Sequence, residues 1–529
     1  MIGLALVQLQ NIRFNVKDRT LFHINDLNIY QGDRIGLIGR NGSGKTSLLQ
    51  MINRDIPPAS GTITKNASIA LLPQIKPQME QKSGGEISQA IINQTLAQAP
   101  ELLLADEPTT HLDTNHMEKL EKQLQRRREA LVIVSHDRAF MDALCTKIWE
   151  IEDGQIREFT GNYSDYAQQK KEARQHHEKE YEKYVQKKKQ LEEAMQQKEQ
   201  KAQRATKKPK NVSKSEAKIT GAKPYFAKKQ KKLNQGVSSI QSRIDQLDKV
   251  EKIKELPPIK MQVTHEESLR NRTIIHGEQV PGTVGNRLLW EVFNFSVIGA
   301  DKIAVIGPNG SGKTTFLRMM MDGHPTIQVS PSVSFGYFSQ TLDVLETDTS
   351  ILDNVRSTSS HDETLIRTVL ARLSFFQNDV FKPVNVLSGG ERVKVAFAKI
   401  FVSHANTLIL DEPTNYLDIE AVEALESLLV DYSGTVIFVS HDRHFLQNVA
   451  TRIFAISNTT IHTFDGSYND YMQTTPQNNH DPLQDELLKV ETRISDVLSR
   501  LSITPTDALE AEFQQLLREK KEINERLQH

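Results

Sequence analysis

The segment IGLIGRNGSGKTSLL, residues 35–49, is the clearest indication of fold in the first part of this chain. It fits the P-loop pattern, in which a glycine-rich turn joins an apolar strand to a helix, through Gly39, Gly44, Lys45 and Thr46. Backbone N–H groups of such a turn surround phosphate oxygens, the lysine brings a positive charge to the β- and γ-phosphates, and the threonine hydroxyl is placed to meet Mg²⁺. The segment therefore predicts an α/β domain that binds a nucleotide.

A second motif, LLLADEP, places Asp106 and Glu107 at the end of an apolar run. The run is typical of a buried parallel strand. An Asp-Glu pair after a strand, taken alone, is more often a helix cap. Beside a P-loop, we expect Asp106 to hold Mg²⁺ through water and Glu107 to polarise the attacking water.

These motifs belong to a longer series that occurs twice, as expected of an internal repeat. The first copy also contains Gln74, the Ser-Gly-Gly-Glu turn that begins at Ser83, Asp113 and His136. The second copy consists of Lys313 in IGPNGSGKTTFL, Gln340, Ser388 in LSGGE, Asp411 and Glu412 in LILDEP, Asp418, and His441 in VIFVSHDR. Ser83 and Ser388 are 305 residues apart, and the Glu, Asp and His pairs keep that spacing.

In this order the motifs resemble those of the ATP-binding cassette (ABC) ATPases. The resemblance implies an α/β fold with two tandem ABC-type P-loop ATPase domains, the first and second cassettes, which face each other. It also implies two composite ATP sites, each hydrolysing ATP to ADP and phosphate with Mg²⁺. Site 1 would join the P-loop of the first cassette to the Ser-Gly-Gly turn of the second cassette. Site 2 would join the P-loop of the second cassette to the Ser-Gly-Gly turn of the first cassette.

The resemblance assigns a role to each motif residue. The implied ATP-binding residues of the first cassette are Gly39, Asn41, Gly42, Gly44, Lys45, Thr46, Ser47, Gln74, Ser83, Gly84 and Gly85. Those of the second are Gly307, Asn309, Gly310, Gly312, Lys313, Thr314, Thr315, Gln340, Ser388, Gly389 and Gly390. The implied catalytic residues are Glu107, Glu412, His136 and His441. The implied Mg²⁺ ligands are Thr46, Gln74, Asp106, Thr314, Gln340 and Asp411.

The two cassettes are not equivalent. Between the Gln and the Ser-Gly-Gly-Glu turn, the first cassette is 39 residues shorter than the second, at the place where ABC proteins usually carry a helical subdomain. Phe14 lies 25 residues before Gly39 and either stacks on adenine or belongs to the core of the first strand. The second cassette has no aromatic residue at the equivalent distance.

Charge is concentrated between the cassettes. The chain has 66 basic and 67 acidic residues, but residues 171–260 hold 25 Lys or Arg and 12 Asp or Glu. Such a segment is expected of a nucleic-acid contact or of a solvated coiled coil. The single Cys145 excludes a disulfide framework within one chain and suits a reducing cytosol. Apolar runs are far below the ~20 residues that span a bilayer, and we expect no signal peptide.

The basic segment predicts an antiparallel helical hairpin, here called the arm. Its apolar stripes have three-to-four spacing and are interrupted near Pro209 and Pro224. Its first helix would be on the order of 60 Å long, and its lysines suit phosphate backbones. The predicted domains are the first cassette (1–165), the arm (166–260, with its tip near 208–225), the second cassette (261–478) and a C-terminal helical hairpin (482–529).

Two tandem cassettes and a basic helical linker resemble the ABC-F family of translation factors. The short first cassette, the segments KEQKAQRATKKPKN and GAKPYF, and the C-terminal hairpin resemble its Vga-type antibiotic-resistance branch. This implies a monomer that binds the E site of the bacterial 70S ribosome, its arm reaching 23S rRNA and P-site tRNA. The arm would displace lincosamides, streptogramins A and pleuromutilins. The implied tip residues are Lys214, Lys218, Ile219, Thr220, Gly221, Lys223, Tyr225 and Phe226.

Three alternatives remain at this stage. A housekeeping ABC-F translation factor would share every motif but would confer no resistance. The ATPase subunit of a drug exporter would not need a basic hairpin between its cassettes. A DNA-associated ATPase often splits one cassette around a longer coiled coil, whereas each cassette here is complete, so we expect no DNA partner.

Overall fold

The sheet of the first cassette is built around the strand that leads into its P-loop. The structure, a computed structural model, describes residues 5–16, 19–73, 84–110, 112–205, 222–250, 269–285, 287–339, 344–359, 361–415, 417–474, 490, 494, 497 and 507–527. Within these residues, the strands of the first cassette are β1 (Val7–Val16), β2 (Arg19–Ile29), β3 (Arg34–Gly39), β4 (Ser60–Lys65), β5 (Ile69–Leu72), β6 (Leu102–Asp106), β7 (Ala130–Val134), β8 (Lys147–Glu152) and β9 (Gln155–Thr160). They form one sheet in the order β4-β1-β2-β9-β8-β3-β7-β6-β5.

The central strands of this sheet are parallel and buried. β3 pairs with β7 and β8, and β6 pairs with β5 and β7, all in parallel. Every residue of β6 and β7 is buried, which confirms the prediction of a buried parallel strand for LLLAD. Parallel strands covered on both faces are continuously apolar, so their carboxyl ends are where polar residues first emerge. The helices of this cassette are α1 (Lys45–Asn53), α2 (Gly84–Ala97), α3 (Thr114–Gln125) and α4 (Arg138–Leu144).

The second cassette repeats this architecture in two sheets. Its strands are β10 (Thr273–Val284), β11 (Arg287–Ile298), β12 (Lys302–Ile306), β13 (Ile327–Val329), β14 (Phe335–Phe338), β15 (Thr407–Asp411), β16 (Thr435–Val439), β17 (Arg452–Ser457) and β18 (Thr460–Asp465). The sheets have the orders β11-β10-β13 and β14-β15-β16-β12-β17-β18. β12 pairs in parallel with β16 and β17, as β3 does with β7 and β8. Two tandem P-loop domains of α/β type are therefore present, as predicted.

The helices of the chain differ between the cassettes. After the arm helices α5 (Tyr163–Ala205) and α6 (Ala222–Asp245), the second cassette contains α7 (Lys313–Met321), α8 (Ile351–Arg356), α9 (Glu363–Arg372), α10 (Gly389–Phe401), α11 (Ile419–Asp431), α12 (Arg443–Val449) and α13 (Tyr468–Thr474). Short 3-10 helices span Gln377–Phe381 and Val384–Val386. In the first cassette only residues 73–83 separate β5 from α2, so this cassette cannot contain helices matching α8 and α9.

The arm forms a compact unit of its own, Ala167–Glu255. α5 is 43 residues long, which corresponds to about 65 Å at the usual helical rise. A Cβ added to Gly236 of α6 would lie 3.2 Å from the Lys198 Nζ of α5, so the two helices pass close together there.

The predicted tip, 208–225, extends too far on its carboxyl side. α6 already begins at Ala222 and includes Pro224 in its first turn. Proline is tolerated there because the first N–H groups of a helix have no partner within it. The first helix of the predicted C-terminal hairpin lies mostly outside the described residues; α14 (Asp507–Leu527) matches the second. Val490, Val497 and Leu516 are buried in one small core. Among the described helices, none combines the length and apolar character needed to span a membrane.

Candidate active sites

Each P-loop ends in a glycine whose conformation and surroundings both disfavour a side chain. Gly44 and Gly312 precede α1 and α7 with φ of 103° and 98°, a left-handed conformation that favours glycine. A Cβ on Gly44 would lie 2.8 Å from the ring of Phe22, and one on Gly312 would lie 2.5 Å from the ring of Trp290. Neither helix has a side-chain cap within the described residues. Their first backbone N–H groups therefore remain available to an anion.

The P-loop lysines are held inside their own loops. The Lys45 Nζ donates to the Gly39 oxygen at 2.6 Å and to the Arg40 oxygen at 3.2 Å. Lys313 Nζ donates to the oxygens of Gly307 and Pro308 at 2.9 and 3.1 Å. Burial lowers the pKa of both lysines, while the carboxylates of the site oppose that effect. An anionic phosphate would stabilise the charged form of each lysine.

The residues predicted to hold Mg²⁺ are brought together in pairs. Thr46 hydrogen-bonds to the side chain of Asp106, and Thr314 to that of Asp411. Burial raises the pKa of both aspartates, and the threonine bond opposes the increase. Among the described residues, Asp411 Oδ1 is buried without a hydrogen-bond partner. A carboxylate oxygen and a hydroxyl suit a hydrated Mg²⁺, so the chemistry of this donor set fits the ion. Gln74 and Gln340 lie outside the described residues.

The predicted catalytic glutamates share an uncommon backbone conformation. Glu107 and Glu412 both have φ of 51°, in the left-handed region that rarely contains glutamate. Glu107 Oε1 lies 3.2 Å from the Nε2 of His136, and the matching distance from Glu412 to His441 is 3.3 Å. Such strain, about 1–3 kcal/mol per residue, is typical of functional positions. The two histidines and glutamates therefore form matched pairs, one in each cassette.

Burial sets the charge of these pairs. It raises the pKa of Glu107 to about 8 and that of Glu412 to about 7. It also lowers the pKa of His136 and His441 to about 3, so both imidazoles are neutral at physiological pH. A neutral imidazole beside a carboxyl group can donate or accept a hydrogen bond and so orient a water molecule.

Each cassette bonds directly to the P-loop of the other. The Asp113 Oδ2 accepts from the backbone N–H of Asn309, and the Asp418 Oδ2 accepts from that of Asn41, both at 3.1 Å. The two aspartates also cap α3 and α11. These reciprocal bonds bring the two halves of each composite site together.

A cavity of about 1180 Å³ lies at this interface. From the first cassette it is lined by Asn41, Gly42, Glu107 and His136. From the second cassette it is lined by Asn309, Gly310, Gly312, Lys313, Thr314, Thr315, Ser388, Gly389, Gly390, Asp411, Glu412 and His441. The Ser-Gly-Gly turn of the second cassette thus shares a cavity with the P-loop of the first. Ser83, the matching residue for site 2, lies outside the described residues, and Gly84 and Gly85 begin α2.

Known proteins match this chain over nearly its whole length. Profiles described as ABC transporter match residues 22–81 and 291–415, and a further one of that description matches residues 149–233. The chain is 34% identical to the ribosome protection protein VmlR of Bacillus subtilis (strain 168), with 98% of both proteins covered. The chain belongs to the ABC-F family of ATPases. The erythromycin resistance ATP-binding protein MsrA of Staphylococcus epidermidis is 32% identical, with 85% of this chain and 98% of MsrA covered.

Solved structures support the fold of this ABC-F protein. A complex of an archaeal ribosomal stalk protein with the ribosome recycling factor aABCE1 matches with a TM-score of 0.58. The match covers 88% of this chain and 92% of the solved one, at 16% sequence identity. The arrangement of two tandem ATPase domains is therefore shared, and the ABC-F protein hydrolyses ATP.

The base-binding side of the two sites differs within this ABC-F chain. Phe14 is half-buried and stacks on Phe22 at 5.5 Å between ring centres, a position compatible with both a core and an adenine contact. At the matching place in the second cassette, a Cβ on Gly282 would lie 2.1 Å from the Trp290 ring. Trp290 therefore fills the space that an aromatic residue at 282 would need.

Sequence reasoning missed the charged residues that join the cassettes beside the ATP sites. The Arg138 guanidinium bonds the Glu426 carboxylate, with side chains only 5% and 9% exposed. Arg443 lies 3.3 Å from Glu121, with side chains 20% and 18% exposed. Arg138 and Arg443 are 305 residues apart in sequence, and so are Glu121 and Glu426. A search of the repeat for charges conserved between its two copies would therefore have found them.

The buried carboxyl group of Asp442, at the interface between the cassettes, is expected to make the stability of the protein depend on pH. Asp442 caps α12 and lies 3.9 Å from Arg138 Nη2, and burial raises its pKa to about 6. Its folded-state pKa exceeds the unfolded value, so its stabilising contribution is present at low pH and is lost as the pH rises through about 6. The shift corresponds to on the order of 3 kcal/mol.

We therefore expect a stability difference between pH 5 and 7.5 that Asp442→Asn reduces, as measured by urea midpoints. Asparagine can still accept the capping hydrogen bond. Asp362 is an exposed cap of α9, so Asp362→Asn serves as the control and should leave the pH difference as in the wild type. An unchanged pH profile in Asp442→Asn would contradict the assignment.

Proposed function

We propose that this ABC-F ATPase is a ribosome-protection protein of the Vga-type branch. It binds the bacterial 70S ribosome at the E site and displaces lincosamides, streptogramins A and pleuromutilins from the peptidyl-transferase centre. The observation that carries the proposal is the arm. Residues 201–232 hold twelve Lys or Arg and one acid, and they include the end of α5 and the start of α6, the two long helices that follow a complete ATPase cassette. Such a basic segment suits the phosphate backbone of 23S rRNA and of P-site tRNA.

The relatives support the same assignment. VmlR is named a ribosome protection protein, and this chain matches it over nearly the whole length of both proteins. MsrA is named an erythromycin resistance ATP-binding protein. Ribosome association places the protein in the cytoplasm. The domain bounds 1–165, 166–260, 261–478 and 482–529 are proposed from the order of the motifs and the basic segment, with one chain supplying both cassettes of a monomer.

In the proposed ATPase cycle, ATP binds at both composite sites and holds the cassettes closed. The N–H groups of the P-loops and the lysines Lys45 and Lys313 bind the phosphates. Thr46, Asp106, Thr314 and Asp411, with Gln74 and Gln340, are the proposed Mg²⁺ ligands. When bound, Mg²⁺ neutralises charge that develops on the γ-phosphoryl group.

The remaining chemistry at each site is positioning. Burial brings the pKa of Glu107 and Glu412 near physiological pH, so each carboxylate can take a proton from the attacking water, and the neighbouring neutral histidine holds the reacting groups in place. The Ser-Gly-Gly turn of the opposite cassette completes the site only in the closed state. Hydrolysis removes that bridge, so the cassettes separate and the protein leaves the ribosome.

The experiment that tests the function is drug susceptibility of a sensitive host. The host expresses the wild type or a form without residues 208–221, and ribosome binding is measured in parallel. We expect resistance to the three drug classes only with the wild type. Ribosome binding without resistance would instead favour a housekeeping translation factor. Recovery in the membrane fraction, without ribosomes, would favour an exporter subunit.

The tip residues Lys214, Lys218, Ile219, Thr220, Gly221, Lys223, Tyr225 and Phe226 are proposed to act on the drug site. Lys214 to Gly221 lie outside the described residues, and the other three fall at the start of α6. We expect Ile219→Ala and Tyr225→Ala to change the relative susceptibility to the three drug classes several-fold, with ATP hydrolysis by the free protein unchanged. Lys179→Ala, on α5 well before the tip, is the control. Loss of basal hydrolysis in the tip variants would make the tip a structural part of the ATPase.

A further inference from the structure

One face of α11 carries three carboxylates directed at the first cassette. Glu420, Glu423 and Glu426 are spaced by three residues, which places them on one side of the helix. Glu420 Oε2 accepts from Arg40 Nε at 2.8 Å. Glu423 Oε1 accepts from the Tyr163 hydroxyl at 3.1 Å. Glu426 is bonded by Arg138 in a buried ion pair. These three glutamates are here called the clasp.

The matching helix of the first cassette, α3, makes a weaker connection. Asn115, Glu118 and Glu121 stand at the positions equivalent to the clasp. Glu118 and Glu121 face a single cation, Arg443, at 3.7 and 3.3 Å. Pro308 follows Gly307 where Arg40 follows Gly39, so no ion pair can form between Asn115 and Pro308. The connection beside site 2 therefore lacks one of the links present beside site 1.

The environment of the buried pairs is also unequal. Asn448 Nδ2 donates to Glu426 Oε2 at 2.9 Å, whereas Ala143 stands at the equivalent position of the first cassette. Lys394 Nζ lies 3.5 Å from Asp418, which bonds the P-loop of site 1. Gln89 is the residue equivalent to Lys394, and the site 2 aspartate, Asp113, is paired with His116 instead.

We propose that the two composite sites open unequally because of the clasp. Loss of ATP separates site 2, built on Lys313, first, while the clasp keeps site 1, built on Lys45, closed. Opening site 1 separates Arg138 from Glu426 and also breaks the Arg40–Glu420 and Tyr163–Glu423 bonds. Opening site 2 breaks a pair that is already partly hydrated. The inference rests on the ATPase assignment and is independent of ribosome binding.

The test measures one distance across each site in the free protein. Spin labels are placed on exposed residues that lie just beyond α1 and α7 and near the carboxyl ends of α11 and α3, Asp55 with Val430 for site 1 and Asp322 with Gln125 for site 2. Cysteine labelling is selective because the native Cys145 is buried. On replacing ATP by ADP, we expect the Asp322–Gln125 distance to lengthen at nucleotide concentrations where the Asp55–Val430 distance stays short.

Variants of the clasp decide the cause of the asymmetry. Glu426→Gln should let both distances lengthen together, whereas Glu121→Gln, its partner in the repeat, should leave the Asp55–Val430 distance short. Arg40→Ala removes an exposed pair without disturbing the core, so it gives a folded variant in which the delay at site 1 is reduced. Equal opening in the wild type, or a delay that persists in both clasp variants, would overturn the proposal. If ADP changes neither distance, the ATPase cycle itself is misassigned.

Discussion

Replacing both Glu107 and Glu412 by Gln is expected to slow ATP hydrolysis by about 10²–10⁴-fold, the usual contribution of a positioned general base. The side chains of the two glutamates are 11% and 10% exposed, lie within 3.2 and 3.3 Å of a histidine nitrogen, and share a φ of 51°. Glutamine keeps the shape and the hydrogen bonds of each side chain but cannot accept a proton from water. ATP binding and closure should therefore survive while hydrolysis is lost.

The measurement combines phosphate release with co-sedimentation of ribosomes. We expect the double variant to sediment with ribosomes in ATP, because the step that releases it is blocked. Glu101→Gln is the control, since Glu101 is exposed and bonds Ser68 away from the ATP sites. Hydrolysis within a few-fold of the wild type would show that neither glutamate is the base. Slow hydrolysis without ribosome binding would keep the ATPase chemistry and reject the ribosome as partner.

The same substitution should not destabilise the fold. Burial raises the pKa of both glutamates, so the ionised form is disfavoured in the folded chain. Gln carries no charge and avoids that cost, and it meets the same backbone strain as Glu. A melting temperature equal to or above that of the wild type is therefore expected. Reduced activity in this variant then reports on chemistry and not on unfolding.

The sequence predicts the elements of this molecule better than it predicts their contacts. The strands β3 and β6 were predictable because a P-loop requires an apolar strand before it and because LLLAD is apolar on both faces. The start of α6 was not, since a proline in a first turn reads as a breaker when the helix boundary is unknown. Local sequence patterns therefore predict strands and loops well, but they predict the boundaries of helices less well.

Contacts across the interface have no local signature. Arg138 and Glu426 are 288 residues apart, and neither is unusual in its own segment. Only the resemblance to ABC ATPases implied that Ser388 faces the first P-loop, because chain order alone does not say which cassette completes which site. Asn448 donates to Glu426 and Tyr163 donates to Glu423, and no local sequence pattern indicates either contact. Such differences become visible only when the two halves are packed together.

Arg138→Met is expected to produce the largest loss of stability among the interface variants, about 3–5 kcal/mol, because it leaves the buried Glu426 without its cation. Glu423 and Asp442 also face Arg138, at 3.9 Å each. Glu423 is half-exposed and can be hydrated, and Asp442 can bind a proton, since burial raises its pKa to about 6. The Glu426 side chain is only 9% exposed, so water cannot replace the lost cation there and most of the cost arises at Glu426.

A double-mutant cycle separates that cost from lost packing. Adding Glu426→Leu to Arg138→Met removes the stranded charge, and replacing a buried pair by apolar residues is often close to neutral. We therefore expect the double variant to be more stable than Arg138→Met alone, as measured by urea unfolding. The matched cycle, Arg443→Met with Glu121→Leu, should show a smaller coupling because water already reaches that pair. Equal coupling energies in the two cycles would mean that the buried pair beside site 1 is no stronger than the pair beside site 2. The proposal that the clasp holds site 1 closed would then lose its support.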